Sequence, residues 1–198
     1  MRKYDLIIAL EGIDGAGKTT LVNLLKKDYG EAACIYSRTK KGQLLKMLLS
    51  HPPLKKCRLL QIPFYLMLSY KNYSQCINHD KASILIMDRC FLSNICYFYP
   101  VALKSKILFK LAMIFELNLF PHEIYIIDED PAVAQKRDNM EKELNWLRKT
   151  RVHYLDAQKS FVLAKYNISV ISNELTIEEK RALIEKRIEI LRGLRNGS

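Results

Sequence analysis

Short apolar runs recur along the chain, and amphipathic patterns fill the intervals between them. The runs are rich in β-branched residues and predict strands at 6–10, 34–36, 84–87, 124–127 and 168–171. A periodicity near that of the α-helix predicts helices at about 17–29, 41–50, 58–78, 91–99, 102–119, 131–137, 141–165 and 176–193. Because strands alternate with helices, the pattern predicts βαβ units and an α/β fold built on a parallel sheet.

The last predicted helix has the clearest start signal. Thr176-x-x-Glu179 forms a capping box, and apolar residues then recur on one face among lysines and arginines. No repeat, low-complexity tract or linker interrupts the chain, and the pair Pro52-Pro53 marks a turn inside the domain. We therefore expect residues 1–198 to form a single domain.

Composition narrows the class of protein. Of the 198 residues, 49% are hydrophobic, which is too many for an intrinsically disordered chain. The excess of 32 Lys and Arg over 21 Asp and Glu gives a formal charge of +11 and favours anionic partners. That charge alone leaves nucleic acid, a membrane surface and small phosphorylated molecules open as partners.

The cysteines and the apolar segments predict a cytoplasmic protein. The five cysteines are odd in number and include no C-x-x-C pair, so neither a disulfide framework nor a zinc site is expected. The apolar run near the N-terminus is too short for the core of a signal peptide. The longest apolar-rich stretch, 107–120, is interrupted by polar residues and is too short to span a bilayer. We expect no membrane segment.

A glycine-rich segment follows the first predicted strand and precedes the first predicted helix. Residues 12–19 read GIDGAGKT, which matches the phosphate-loop pattern G-x-x-x-x-G-K-[ST] in its required strand, loop and helix context. Glycines let backbone N–H groups turn inward around an anion, and the helix directs its positive end at the same phosphates. Lys18 is predicted to bridge the β- and γ-phosphates of the ligand, and the Thr19 hydroxyl to bind Mg²⁺.

A second candidate for phosphate chemistry follows the third predicted strand. Asp88 and Arg89 come directly after the apolar run 84–87, at the strand end where open α/β sheets bind ligands. Asp88 is suited to hold Mg²⁺ or to orient the attacking group, and the Arg89 guanidinium to grip a second phosphate with two hydrogen bonds.

These segments resemble the thymidylate kinase family. Residues 11–20 read EGIDGAGKTT and are similar to that family's phosphate loop, and residues 88–97, DRCFLSNICY, resemble its D-R-[YF]-x-x-S-x-x-A-Y segment. Residues 128–137, DEDPAVAQKR, match its D-x-x-P-x-x-A-x-x-R pattern, and Arg151-x-x-Tyr154 stands where a later R-x-x-Y lies. The resemblance implies a P-loop nucleoside monophosphate kinase: a three-layer sandwich around a five-stranded parallel sheet, a lid after Arg137, ATP and Mg²⁺ as cofactors, dTMP as the acceptor and a homodimer.

The resemblance also implies residue roles. The ATP-binding set comprises Gly12, Asp14, Gly15, Ala16, Gly17, Lys18, Thr19, Thr20 and Arg137. Asp14 would also approach the sugar hydroxyl of the acceptor, and the remaining acceptor-binding residues would be Arg38, Phe64, Met67, Lys71, Arg89 and Tyr97. Lys18, Asp88 and Arg89 would be catalytic, Thr19 and Asp88 would hold the metal, and a lid cation drawn from Arg148, Lys149 and Arg151 would close on the transferring group.

The acceptor-side residues depart from the family pattern. The family reads its base with a phenylalanine and an arginine four positions later, whereas the helix before Asp88 offers Phe64, Met67 and Lys71, and the lysine has no planar fork. Two alternatives therefore stand beside a dTMP kinase. One is the same fold with another acceptor, such as a nucleoside, another nucleotide or a phosphorylated metabolite. The other is a low-turnover nucleotide-binding or nucleic-acid-associated protein, although no nucleic-acid-binding motif is present.

Overall fold

A computed structural model of the protein describes residues 4–37, 82–97, 120–138, 144–159 and 166–196. The helices predicted over 41–50, 58–78 and 102–119 lie outside these residues. The strands are β1 (Leu6–Glu11), β2 (Ala33–Ser37), β3 (Ile84–Asp88), β4 (Glu123–Ile127) and β5 (Asn167–Ile171). The helices are α1 (Lys18–Tyr29), α2 (Phe91–Tyr97), α3 (Pro131–Asp138), α4 (Leu144–Lys159) and α5 (Ile177–Asn196), and a 3₁₀ turn, Gly30–Ala32, leads into β2.

The sheet is five-stranded and entirely parallel, in the order β2-β3-β1-β4-β5. Its central strands β1, β3 and β4 are buried at every position, as is typical of the parallel sheets of α/β proteins. Helix α1 contacts β2, β3 and α5, whereas α4 contacts α2, α3 and β5. The predicted α/β sandwich around a five-stranded parallel sheet is thereby confirmed.

The strand order places the loop after β1 at the switch point of the sheet. From β1 the sheet extends through β3 to β2 on one side and through β4 to β5 on the other. Where the connections after two adjacent strands run in opposite directions along the sheet, a crevice forms at the carboxyl ends of these strands. Ligands of open α/β sheets bind in this crevice. The glycine-rich segment lies at this crevice.

The predicted capping box opens helix α5. The Thr176 backbone N–H donates to Glu179 Oε2 at 2.8 Å, and the Glu179 N–H donates back to Thr176 Oγ1 at 3.2 Å. The reciprocal bonds satisfy two backbone donors at the start of the helix. The Thr176 N–H and hydroxyl both donate to the Glu179 carboxylate and lower the pKa of Glu179, because they favour its charged form. Within the described residues, no helix has the length and apolar character needed to cross a membrane.

Two glycines let the loop after β1 lie directly against backbone atoms of its neighbours. Gly12 has φ +133°, and a Cβ there would collide with the Ile127 carbonyl at the end of β4. Gly15 has φ +81°, and a Cβ there would collide with the Ala134 carbonyl of α3. Both positions need a residue without Cβ, because the conformation is strained for L-residues and the obstacle is backbone rather than a movable side chain.

We predict that Gly15→Ala lowers the free energy of unfolding by about 1–3 kcal/mol, because the new methyl group displaces α3 or the loop. Urea denaturation measures the change. Gly193→Ala is the matched control, because Gly193 lies in α5 with open space around it, and this variant is expected to gain about 0.5–1 kcal/mol. Equal effects of the two substitutions would contradict the close packing of the loop.

Candidate active site

The phosphate loop joins the end of β1 to the start of α1. Gly17 has φ +83° and directly precedes Lys18, the first residue of the helix, so the N-terminus of α1 opens onto the loop. Lys18 is only 5% exposed, and its ammonium donates to the Ile13 carbonyl at 2.5 Å. Burial, followed by repulsion from Arg89, lowers the pKa of Lys18 from 10.5 to about 7. The lysine is thus folded back into its own loop.

The two residues predicted to hold a metal lie together. The Thr19 hydroxyl donates to Asp88 Oδ2 at 2.8 Å, although the two residues are 69 positions apart in the chain. Thr19 is exposed at the start of α1, and Asp88 is buried at the end of β3. Mg²⁺ prefers oxygen ligands and is typically bound by one or two protein groups together with phosphates and water. The hydroxyl and carboxylate therefore fit Mg²⁺.

Arg89 is held at the crevice by contacts along its whole length. Its backbone is left-handed, with φ +76°, and its N–H donates to the Leu10 carbonyl at 3.0 Å. Its guanidinium donates to the Gly12 carbonyl at 2.9 Å and to the Tyr154 hydroxyl at 3.2 Å, and forms an ion pair with Asp14. Arg89 and Asp14, both predicted to face the acceptor, therefore lie side by side against the phosphate loop.

A buried carboxylate that sequence reasoning left without a role lies next to Arg89. Glu11, the last residue of β1, is fully buried and accepts the N–H of Cys90 at 2.7 Å and that of Ser93 at 3.1 Å. It also accepts the Ser93 hydroxyl at 2.6 Å and the Tyr154 hydroxyl at 3.1 Å. Glu11, Ser93 and Tyr154 all stand within the family-like segments, which was the available signal, but the sequence did not show that they touch.

The candidate lid cations differ in their surroundings. Arg151 forms a two-bond fork with Asp128, at 2.6 Å from Nε to Oδ1 and 2.7 Å from Nη2 to Oδ2. Arg148 and Lys149 are exposed on the same helix. The Arg151 guanidinium is therefore bound to Asp128 at the end of β4 in this structure, whereas the side chains of Arg148 and Lys149 reach solvent.

The acidic segment 128–130, which directly follows β4, contacts cationic side chains from three helices. Besides the Arg151 fork on Asp128, Arg137 of α3 donates to Glu129 Oε2 at 2.6 Å. Lys180 of α5, which sequence reasoning did not single out, is 4% exposed, with its ammonium 3.5 Å from the Asp128 carbonyl. Burial lowers the pKa of Lys180. Arg137, which is predicted to contact the ATP phosphates, is thus paired with Glu129 in this structure.

Several predicted acceptor-binding residues are not placed by the structure. Arg38, Phe64, Met67 and Lys71 lie outside the described residues, and Tyr97 is described only by its backbone position in α2. Among the described residues, no group of three or more His, Cys, Asp or Glu side chains forms a metal cluster. Cys34, Cys90 and Cys96 are buried thiols rather than members of a disulfide.

Comparison with known proteins gives the site its family context. The family model of thymidylate kinase matches residues 10–184. A thymidylate kinase of Campylobacter jejuni (strain 81116) is 26% identical over 196 residues, covering 93% of this chain and 98% of that protein. A thymidylate kinase of Helicobacter hepaticus is 25% identical over 198 residues, covering 94% and 100%.

Solved structures share the fold at lower identity. A deoxyadenosine kinase from M. mycoides with bound dATP superposes with a TM-score of 0.67 at 18% identity, covering 93% of this chain and 99% of the other. A thymidylate kinase from Ehrlichia chaffeensis gives 0.64 at 22% identity with the same coverage. These likenesses confirm the P-loop kinase fold. Because the family model spans most of the chain and the phosphate loop within it, this protein belongs to the thymidylate kinase family and is a phosphotransferase.

Proposed function

We propose that the protein transfers the γ-phosphoryl group of ATP to the phosphate of dTMP, with Mg²⁺ bound by Thr19 and Asp88. The observation that carries the proposal is the adjacency of Asp88 and Arg89. Asp88 accepts the Thr19 hydroxyl on the ATP side of the site, and Arg89, the next residue, pairs with Asp14 on the acceptor side. One strand end thereby supplies groups for both substrates.

Catalysis in this site would be positional and electrostatic. A bound Mg²⁺ would draw charge from the phosphate oxygens, and Lys18 and Arg89 would do the same from fixed protein positions. The Arg89 guanidinium already lies against the Gly12 carbonyl and Asp14, so little reorganisation is needed when the acceptor phosphate arrives. No covalent enzyme intermediate is required.

The low pKa of Lys18 affects both the pH dependence of the protein's stability and the binding of phosphates to the loop. A lysine whose pKa falls from 10.5 in the unfolded chain to about 7 in the folded one binds fewer protons after folding at any pH between those values. Stability therefore increases as the pH rises from about 7 toward 10.5, and it is lowered by a constant amount below that window. Phosphate oxygens would restore the favourable charged form, so ATP binding at pH 8 should take up a proton.

We predict that Lys18→Met raises the melting temperature at pH 7 by several degrees and lowers kcat by at least about 100-fold, because it removes both a poorly solvated charge and a transition-state contact. Differential scanning calorimetry and an ADP-release assay measure the two effects. Lys27→Met, at an exposed position of the same helix, should change neither. A lower melting temperature for Lys18→Met would contradict the inference that the buried Lys18 charge destabilises the folded protein.

The predicted lid cation can be assigned by comparing Arg148 with Arg151. Arg148→Ala should lower kcat by at least about tenfold with the unfolding free energy changed by less than about 0.5 kcal/mol, because Arg148 is exposed and free to approach the transferring group. Arg151→Ala should instead cost about 1–3 kcal/mol of stability, because it leaves the largely buried Asp128 without its fork. Steady-state kinetics and urea denaturation of both variants decide the assignment, and exchanged phenotypes would reverse it.

The acceptor is tested by ADP release from Mg²⁺-ATP in the presence of dTMP, dUMP, the other nucleoside monophosphates and thymidine. We expect dTMP to give the highest kcat/KM. The second candidate function, the same chemistry on another acceptor, is favoured by one sequence observation: the helix predicted over 58–78 has no Phe-x-x-x-Arg pair, and Lys71 would replace the base-reading arginine only as a point donor. Turnover of another acceptor above that of dTMP would establish it. Failure of every acceptor would contradict both.

Two further proposals rest on the family resemblance. We propose a homodimer, which light scattering of the purified protein would detect as about twice the 23.1 kDa chain mass. We also propose a cytoplasmic location, which agrees with the reduced thiols of the buried residues Cys34, Cys90 and Cys96.

A further inference from the structure

We propose that Tyr154 is a positioning residue for Arg89, acting through a buried network anchored on Glu11. This inference rests on the proposed function, because it concerns how the site grips the acceptor phosphate. The need for such a residue follows from the backbone. Arg89 is the non-glycine residue with positive φ in the described part of the chain, and a strained conformation persists only where its surroundings hold it.

The backbone on both sides of the strained residue is held by β1. The Arg89 N–H donates to the Leu10 carbonyl at 3.0 Å, and the Cys90 N–H donates to Glu11 Oε1 at 2.7 Å. These bonds hold the turn, but they leave the direction of the long side chain undetermined, because an arginine has several rotatable bonds beyond its backbone. The guanidinium needs its own restraints.

Those restraints converge on one nitrogen. Arg89 Nη1 lies 2.9 Å from the Gly12 carbonyl, 3.2 Å from the Tyr154 hydroxyl and 3.3 Å from the Ser93 hydroxyl, so this edge of the guanidinium is bound to the protein. Nη2 lies on the other side, against Asp14 of the phosphate loop. A planar guanidinium held at one edge has its second edge fixed in direction as well.

Tyr154 completes a bridge between two buried charges. Arg89 Nη1 and Glu11 Oε2 are 3.9 Å apart, which is beyond hydrogen-bonding distance. Tyr154 and Ser93 span that gap, because each hydroxyl can accept from Arg89 and donate to Glu11 Oε2, at 3.1 Å and 2.6 Å respectively. The pairing is made inside the protein, where each bond to a charged group is stronger than in water.

The position of Tyr154 gives the network a second role. Tyr154 is 1% exposed on α4, the helix that also carries the exposed Arg148. One phenol therefore ties the helix bearing the proposed lid cation to the turn bearing the proposed acceptor arginine. Removing only the hydroxyl leaves the ring in the core, so the fold is retained while Arg89 loses one restraint and Glu11 loses one donor.

The test compares Tyr154→Phe with Thr150→Val on the same helix. Thr150 is also buried, but its hydroxyl donates to the Trp146 carbonyl within α4 and does not reach the network. We expect Tyr154→Phe to raise the KM for dTMP by about tenfold, the loss typical of a bond to a charged group, with the KM for ATP changed by less than about twofold. Thr150→Val should change neither KM, although it removes a buried hydroxyl as well.

A double-mutant cycle with Arg89→Lys separates positioning from general loosening. If Tyr154 acts through the guanidinium, Tyr154→Phe should add less than about twofold to the dTMP defect in the Arg89→Lys background. The dTMP-induced rise in melting temperature gives the same comparison without turnover. An unchanged dTMP response in Tyr154→Phe, or effects that multiply in the double variant, would overturn the inference. The wild-type protein could also fail to turn over dTMP while dTMP still raises its melting temperature more than that of Tyr154→Phe. That result would overturn the proposed function but not the role of Tyr154.

Discussion

The site depends on the buried carboxylate of Glu11 at the end of the central strand. A fully buried anion is tolerated only when donors surround it, and Glu11 receives them from the start of α2 and from Tyr154 of α4. The Glu11 carboxylate thus connects the central strand β1 with the turn after β3 and with helix α4. These are the elements from which the proposed acceptor side is built, so one charge in the core organises the groups that we propose to bind the acceptor.

Charge balance around the loop follows a consistent pattern. Arg89 lies between Glu11 and Asp14, and Arg151 forms a fork with Asp128. Lys18 is different, because burial outweighs the attraction of nearby carboxylates and lowers its pKa to about 7. A cation destabilised in the free protein is suited to bind an anion, since the incoming phosphates supply the solvation that folding removed. The loop accordingly sacrifices stability at the position where charge is needed.

Local patterns were sufficient for the fold and for the phosphate loop. Apolar runs that alternate with helical periods predicted the five described strands. In β1, β3 and β4 the run is nearly continuous because these strands are buried at every position, whereas β5 is exposed at Asn167 and Ser169 and was predicted from its β-branched residues. The capping box was predicted because the two residues that form it, Thr176 and Glu179, are only three positions apart. The glycine loop was equally readable, since strand, loop and helix are contiguous in the chain.

Contacts between distant segments could not be predicted in the same way. The sequence determined that a phosphate loop and an Asp-Arg pair are present, because each is encoded by neighbouring residues. Only the tertiary structure decided that Arg151 pairs with Asp128 rather than extending toward the loop, and that Tyr154 meets Glu11 across 143 positions. The physical reason is that long side chains have several possible partners, and the parallel sheet selects among them by bringing the strand ends to one edge.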